Sequence, residues 1–264
     1  SRRLVAIALL VVCATLGCAS TSNKWVALRS TPRNPLTDTL GLVTRKGPKP
    51  TARTIQLLRR YNLENALKGN RSELLARLEE IDRQEPRRGH VYALAELAYV
   101  EAKRAERAMK YEKALELHGA AVLYAYRFLF DDLYEQQTNF YDPEFRLACD
   151  LYNAALESTL RILQDRNELL PGKTIQVKTA NHQCQLKIDL NSQGWHADDF
   201  AHFRFVSDYE VHGLTNHYHN YGLGVPLIAV RKSHADMEPD EEFYPEELSF
   251  PVTAFLRIES PESD

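Results

Sequence analysis

Apolar and polar positions along this chain follow two patterns in succession. Between residues 51 and 170 the apolar residues recur every three or four positions, the spacing of one helix face. "TARTIQLLRRYNLENAL" sets Ile55, Leu58 and Leu63 near one face, with Leu57 beside it. "SELLARLEEIDRQ" repeats Leu74, Leu75, Leu78 and Ile81, with Ser72 as its predicted N-cap. "HVYALAELAYVEAKRAERA" puts Tyr92, Ala95 and Tyr99 on a face among small neighbours, and "KYEKALELHGAAVLYAYRFLF" adds Tyr111, Ala114, Leu117 and Ala121. "DPEFRLACDLYNAALESTLRIL" opens on Asp142 as N-cap and Pro143 at the first helical position, a strong start signal. Its apolar face is Phe145, Cys149, Tyr152, Leu156 and Leu160.

From Pro171-Gly172 the period drops to two, as in half-buried strands. "TIQVKT" (174–179) and "CQLKIDL" (184–190) alternate, the latter with Leu186, Ile188 and Leu190 on one side. "HFRFVSDYEV" places Phe203 and Phe205 together, and "PLIAVR" and "FPVTAFLRI" read as buried strands. Helices first and strands second define an α+β order, not alternating βαβ units. The expected architecture is an N-terminal helical bundle followed by a β-rich region that reads as truncated.

The third and fourth helical stretches resemble a tetratricopeptide hairpin through Tyr92, Ala95, Tyr99, Ala114 and Ala121. The turn between them reads as longer than that repeat allows and lacks its glycine. No second copy follows at a period of about 34 residues. The resemblance is to a degenerate unit. A plain bundle using Ala and Tyr at close helix contacts accounts for the same pattern.

The N-terminus belongs to neither pattern. Arg2 and Arg3 precede an apolar stretch, Leu4–Leu16, too short to span a bilayer as a helix. "TLGC" resembles the bacterial lipoprotein cleavage box, although Thr15 stands where Leu is usual and Leu16 where Ala or Ser is usual. That resemblance implies removal of residues 1–17 and lipidation of Cys18, whose two acyl chains suffice for stable anchoring. A secretory signal cut near Ala19 and an uncleaved anchor are the alternatives. Residues 18–50, with Pro32, Pro35, Pro48 and Pro50, read as a flexible tether. The body then divides into a helical region, 51–170, and a β-rich region, 171–264.

With 44% hydrophobic and 26% charged residues the composition is ordinary, but the charge is unevenly placed. Residues 1–130 carry 23 Lys+Arg against 12 Asp+Glu, and residues 131–264 carry 10 against 24. The basic residues are dispersed along helices, which favours mutual attraction of the two regions over a membrane-surface patch. The net charge of −3 gives no reason to expect nucleic acid. Beyond Cys13 and Cys18 only Cys149 and Cys184 remain, without a CxxC spacing, so two buried thiols or an exported protein's disulfide are both open.

Seven of the nine histidines lie between His182 and His234. On a strand His217 and His219 would face the same way, the minimum for two metal ligands, with His196, Asp198 or Asp199 as a third. Spacing alone makes them weak candidates, and a bound metal is not the favoured reading. Gly222 and Gly224 precede a strand pattern rather than a helix, which argues for a bend over a phosphate loop. Ser207-Asp208 and Ser233-His234 are adjacent in sequence only, and no GxSxG elbow is present. No catalytic set and no cofactor signature emerges.

Four strings carry a wider resemblance: "LAELAY" (94–99), "YDPEFRLACDLYNAALE" (141–157), "DYEVHGLTNHYHNYGLGVPLIAVR" (208–231) and "YPEELSFPVTAFLR" (244–257). Together they resemble the N-terminal region of bacterial envelope lipoproteins that carry a downstream α/β-hydrolase domain of esterase/lipase type. The resemblance implies a membrane-anchored parent facing the periplasm or exterior, with this chain as its non-catalytic anchoring and supporting part. Its expected partners are the membrane, through Cys18, and the hydrolase domain. A stand-alone lipoprotein that binds protein through a helical-repeat-like surface is the alternative.

Overall fold

The computed structural model describes residues 25–34, 36, 43–44, 47–131, 133–134, 143–169, 174–178, 183–191, 199–213, 222–232 and 248–259. Among these residues the architecture is α+β, with five helices and an antiparallel sheet. The helices are α1 (Ala52–Arg60), α2 (Arg71–Gln84), α3 (Arg88–Arg107), α4 (Tyr111–Phe130) and α5 (Pro143–Asp165). The strands are β1 (Val26–Leu28), β2 (Val43–Thr44), β3 (Gly47–Pro48), β4 (Thr174–Lys178), β5 (Gln183–Asn191), β6 (Phe200–Phe205), β7 (Tyr209–Val211), β8 (Val225–Arg231) and β9 (Ser249–Glu259).

α3 is the centre of the helical layer. Every residue from His90 to Val100 is buried, far more than one face. The cause is that α3 has neighbours on several sides: α4, α2, α1, α5 and the β2–β3 hairpin. Ala95, Ala98 and Ala102 on α3 and Ala114, Ala121 and Ala125 on α4 are wholly buried, and such small side chains let helices approach closely. The α3–α4 connection, expected to be long, is only Ala108–Lys110, because helical structure continues to Arg107. Met109 takes a left-handed φ of 56°, and Lys110 N–H bonds back to the Ala105 carbonyl at 2.9 Å. α1 and α5 end the same way, at Asn62 (φ 56°) and Asn167 (φ 55°), each followed by a bond five residues back. This helix-ending motif normally uses Gly and here uses Asn or Met.

The N-cap of α2 is Asn70, whose side chain accepts from Glu73 N–H at 3.4 Å; Ser72 lies inside the helix. Pro143 opens α5 as expected, and Asp142 lies outside the described residues. Parts of the stretch read as a tether pack on the body. Leu36 is fully buried, Asn34 Nδ2 donates to the Tyr99 hydroxyl at 2.7 Å, and β1 pairs with β7.

The main sheet runs β4-β5-β9-β8-β6, every pair antiparallel. "HFRFVSDYEV" is not one strand. A tight turn at Val206–Asp208 ends β6, and β7 leaves to form a separate ribbon with β1. Pro226 and Pro251 sit in inner strands, which normally exclude proline. Both occupy stretches flanked on one side only: β6 reaches β8 as far as Leu227, and β5 reaches β9 as far as Thr253. One face of the sheet, with Ile188, Phe203, Phe205, Leu227, Ala229, Val252, Ala254 and Leu256, joins the helices in a single core.

Candidate functional site

The Gly222–Gly224 bend is held by α5. Asn153 Nδ2 donates to the Gly222 carbonyl and Asn153 Oδ1 accepts from Gly224 N–H, each at 2.8 Å. Gly224 has φ +117°, and a Cβ there would lie 2.5 Å from Thr253 Cγ2. Only glycine fits, because β8 starts in contact with β9. The neighbouring Tyr152 hydroxyl accepts from Leu256 N–H and donates to the Leu256 carbonyl, both at 3.1 Å. β8 pairs with β9 only from Val225, opposite Ala254. The tyrosine hydroxyl therefore serves β9 where the neighbouring strand has ended.

Ser207 and Asp208 also belong to this helix–sheet latch. Arg161 Nη2 reaches Asp208 Oδ1 at 2.7 Å, Ser207 Oγ at 2.8 Å and Glu157 Oε1 at 2.8 Å, over the Phe205 ring. Ser207 Oγ donates to Glu157 at 2.6 Å. These residues tie α5 to the turn between β6 and β7. Cys18, His217, His219, His196, Asp198, Ser233 and His234 lie outside the described residues. Asp199 is described, and its carbonyl accepts from Lys232 N–H at 2.8 Å. Among the described residues no three His, Cys, Asp or Glu side chains gather as metal ligands. Cys149 is a free thiol, half-buried on α5, and burial pushes it up to about 11; the side chain of Cys184 lies outside what is described.

Among the described residues a cleft of about 210 Å³ lies at one end of the helical layer. The start of α2 contributes Arg71, Ser72 and Leu75, the end of α3 Glu101 and Arg104, and the start of α4 Lys110, Lys113 and Leu117. Four cationic side chains thus surround one carboxylate. Glu101 takes Arg71 Nε at 3.3 Å and also pairs with Arg104, which donates from Nη2 to the Pro48 carbonyl at 3.0 Å. Among the described residues Lys110 and Lys113 have no ion-pair partner. The cleft offers positive charge beside the apolar Leu75 and Leu117. Periodicity could not reveal it, because its cations come from three helix ends.

The same layer buries charge elsewhere. His118 is fully buried, and burial pushes its ring below the usual imidazole range, against the pull of the Glu106 carboxylate. A carboxylate can only accept, so His118 Nε2 carries the proton toward Glu106 Oε1 at 2.6 Å; Nδ1 has no partner. Lys103 Nζ donates to Glu106 at 2.6 Å and to Ser158 Oγ at 3.2 Å. Burial alone would raise Glu106, but the His118 bond and charge, with Lys103, bring it down to about 2. Glu96, wholly buried, accepts from the backbone and hydroxyl of Thr51, the N-cap of α1. Burial raises its carboxyl above the usual range despite those bonds. Both networks join helices to one another.

Comparison with known proteins gives no match: no family model, no curated protein and no solved structure matches the chain. Among the described residues no helix is long and apolar enough to cross a membrane.

Proposed function

We propose that this chain is the non-catalytic, lipid-anchored front part of an envelope α/β-hydrolase of esterase/lipase type. Cys18 carries the lipid, and the helix-and-sheet body supports a catalytic domain of the same polypeptide. One observation carries the reading: the four resembling strings meet in one packed unit. Leu94, Ala95, Ala98 and Tyr99 form the wholly buried middle of α3. Tyr152 and Asn153, from the second string, bind Leu256, Gly222 and Gly224, from the fourth and third. The four strings therefore belong to a coherent scaffold whose polar groups Tyr152 and Asn153 are spent on helix–sheet contacts. The test is activity-based labelling of membranes from the source cells. An antibody against residues 51–264 should recognise a fluorophosphonate-reactive polypeptide larger than 30.3 kDa. If every recognised polypeptide resists the probe, the hydrolase reading fails.

The cleft favours a second reading, a lipoprotein whose degenerate tetratricopeptide-like α3–α4 hairpin receives an acidic segment of a protein partner. Arg71, Arg104, Lys110 and Lys113 supply the complementary charge. Loss of a co-purifying partner on Lys110→Glu with Lys113→Glu would support it, and unchanged recovery would refute it.

A further inference from the structure

Among the described residues, five of the nine strongly exposed large apolar side chains belong to one two-stranded ribbon and the residues flanking it. They are Trp25, Val26, Leu28, Val206 and Val211, on the β1–β7 ribbon and the turn leading into it. Register explains the grouping. Val26 stands opposite Val211 and Leu28 opposite Tyr209, so these four side chains share one face, while Ala27 and Glu210 share the other. Leu28 is 72% exposed. Trp25, 68% exposed, lies at the ribbon end, where its ring would meet a Cβ on Gly213 at 3.1 Å. Gly213 has φ +86°, and its missing side chain leaves room for the ring. Grouped exposed apolar residues of this kind mark a surface that meets something.

We infer that this ribbon is the face the protein lays on the lipid bilayer, with Trp25 and Leu28 entering the interfacial region. The inference rests on the lipid-anchor reading of Cys18. Seven residue steps separate Cys18 from Trp25, a reach of roughly 25 Å even when fully extended. A lipidated Cys18 thus keeps the ribbon within about a bilayer's thickness of the headgroups. Tryptophan is the side chain most at home at that depth, with its apolar ring and single donor. The flanking charge is complementary to an anionic surface: residues 19–50 carry six Lys+Arg and one Asp.

The ribbon is also fixed to the body, so its contact would orient the whole molecule. Arg29 N–H donates to the Asp208 carbonyl at 2.8 Å, Arg29 Nε to the Tyr209 carbonyl at 3.1 Å, and Arg33 N–H to the Ser207 carbonyl at 3.1 Å. Ser207 and Asp208 are in turn held by Arg161 on α5. The anchor supplies attachment and the ribbon supplies direction.

The test uses the full chain, produced in a lipidating bacterial host and reconstituted into phosphatidylethanolamine/phosphatidylglycerol vesicles. The chain has two tryptophans, so Trp195→Phe leaves Trp25 as sole reporter. Mass spectrometry of the Cys18 peptide reports the anchor separately. Lipids brominated near the headgroup end of the acyl chain should quench Trp25 at least twofold and shift its emission to the blue. Leu28→Ser with Val211→Ser should reduce that quenching about threefold and leave the thermal midpoint unchanged, since both side chains are exposed. Lipidated Cys18 with a water-exposed, unquenched Trp25 overturns the inference and spares the anchor reading. Unmodified Cys18 overturns the anchor reading, and with it the inference if quenching is also absent. Quenching replaced by concentration-dependent dimerisation in detergent would assign the ribbon to a second copy and overturn the membrane face.

Discussion

Replacing Tyr152 with Phe removes one oxygen and keeps the ring. That oxygen bonds both main-chain atoms of Leu256 from the helix side, at 3.1 Å to each, and all the atoms involved are buried. Without it an N–H and a carbonyl lose their partners in a dry core, and leaving a buried polar group unsatisfied costs about 1–3 kcal/mol. Because the phenolic hydroxyl is removed too, its own desolvation is recovered, so the net loss should be about 2 kcal/mol. For a chain of this size that corresponds to a fall of about 4–8 °C in the thermal midpoint. Urea unfolding of the full chain reads the stability. Amide exchange at Leu256 reads the cause and should accelerate more than at Ile188, the facing residue of β5. The double variant with Asn153→Ala should lose less or more than the sum of its parts, since both side chains serve the same latch. If Tyr152→Phe unfolds within about 0.5 kcal/mol of the parent and Leu256 exchanges as before, the tyrosine bridge does not hold β9, and the latch description is wrong.

Gly224→Ala should destabilise by about 2 kcal/mol or more through its φ of +117° and the approach to Thr253, and adding Thr253→Ser should restore part of the loss in urea unfolding. Glu96 is raised by burial, so its contribution is greatest at pH below the ordinary carboxyl value and declines as pH rises through its folded value. Glu96→Gln keeps an acceptor for Thr51 N–H; its stability should equal or exceed the parent's at pH 7 and lose that pH slope. Glu106 behaves oppositely: its folded value of about 2 lies below the ordinary 4.5, so its contribution is complete above pH 4.5 and lost as pH falls toward 2. A loss on the order of 2–3 kcal/mol in that window is expected, and Glu106→Gln should flatten it in acid-unfolding curves.

The helices were legible because burial in this layer follows a helical period. Leu58, Leu74, Leu78, Tyr92, Tyr99, Leu156 and Leu160, all on expected faces, are buried. The strands of the main sheet were legible from alternation, and the bend at Gly222–Gly224 from the strand that follows it. Three features were hidden for definite physical reasons. The break after Phe205 carries neither Gly nor Pro, and it arises because Ser207 and Asp208 are held by a helix residue about fifty positions earlier. The three left-handed helix ends use Asn62, Met109 and Asn167, so a search for glycine passes over them. The cationic cleft joins helix ends brought together only by packing. Of the residues singled out for chemistry, Gly224, Ser207 and Asp208 proved to be structural fasteners, and what identifies them is their partner on α5, not their neighbours in sequence.

The strand order has a consequence for synthesis. β9 is the last of the described strands in chain order and stands in the middle of the main sheet, between β5 and β8. A polypeptide emerging from its N-terminus can assemble α1 to α5 early, but before β9 arrives the described strands of its main sheet form two separate pairs, β4–β5 and β6–β8. Both keep an open edge on the side that awaits β9, and the Tyr152 hydroxyl has nothing to hold. Loss of residues 249–259 would therefore divide the sheet at its centre instead of trimming a border. For this fold the interval between the appearance of β8 and the arrival of β9 is the period of greatest exposure to mispairing, and a chaperone acting on the nascent chain would find its substrate there.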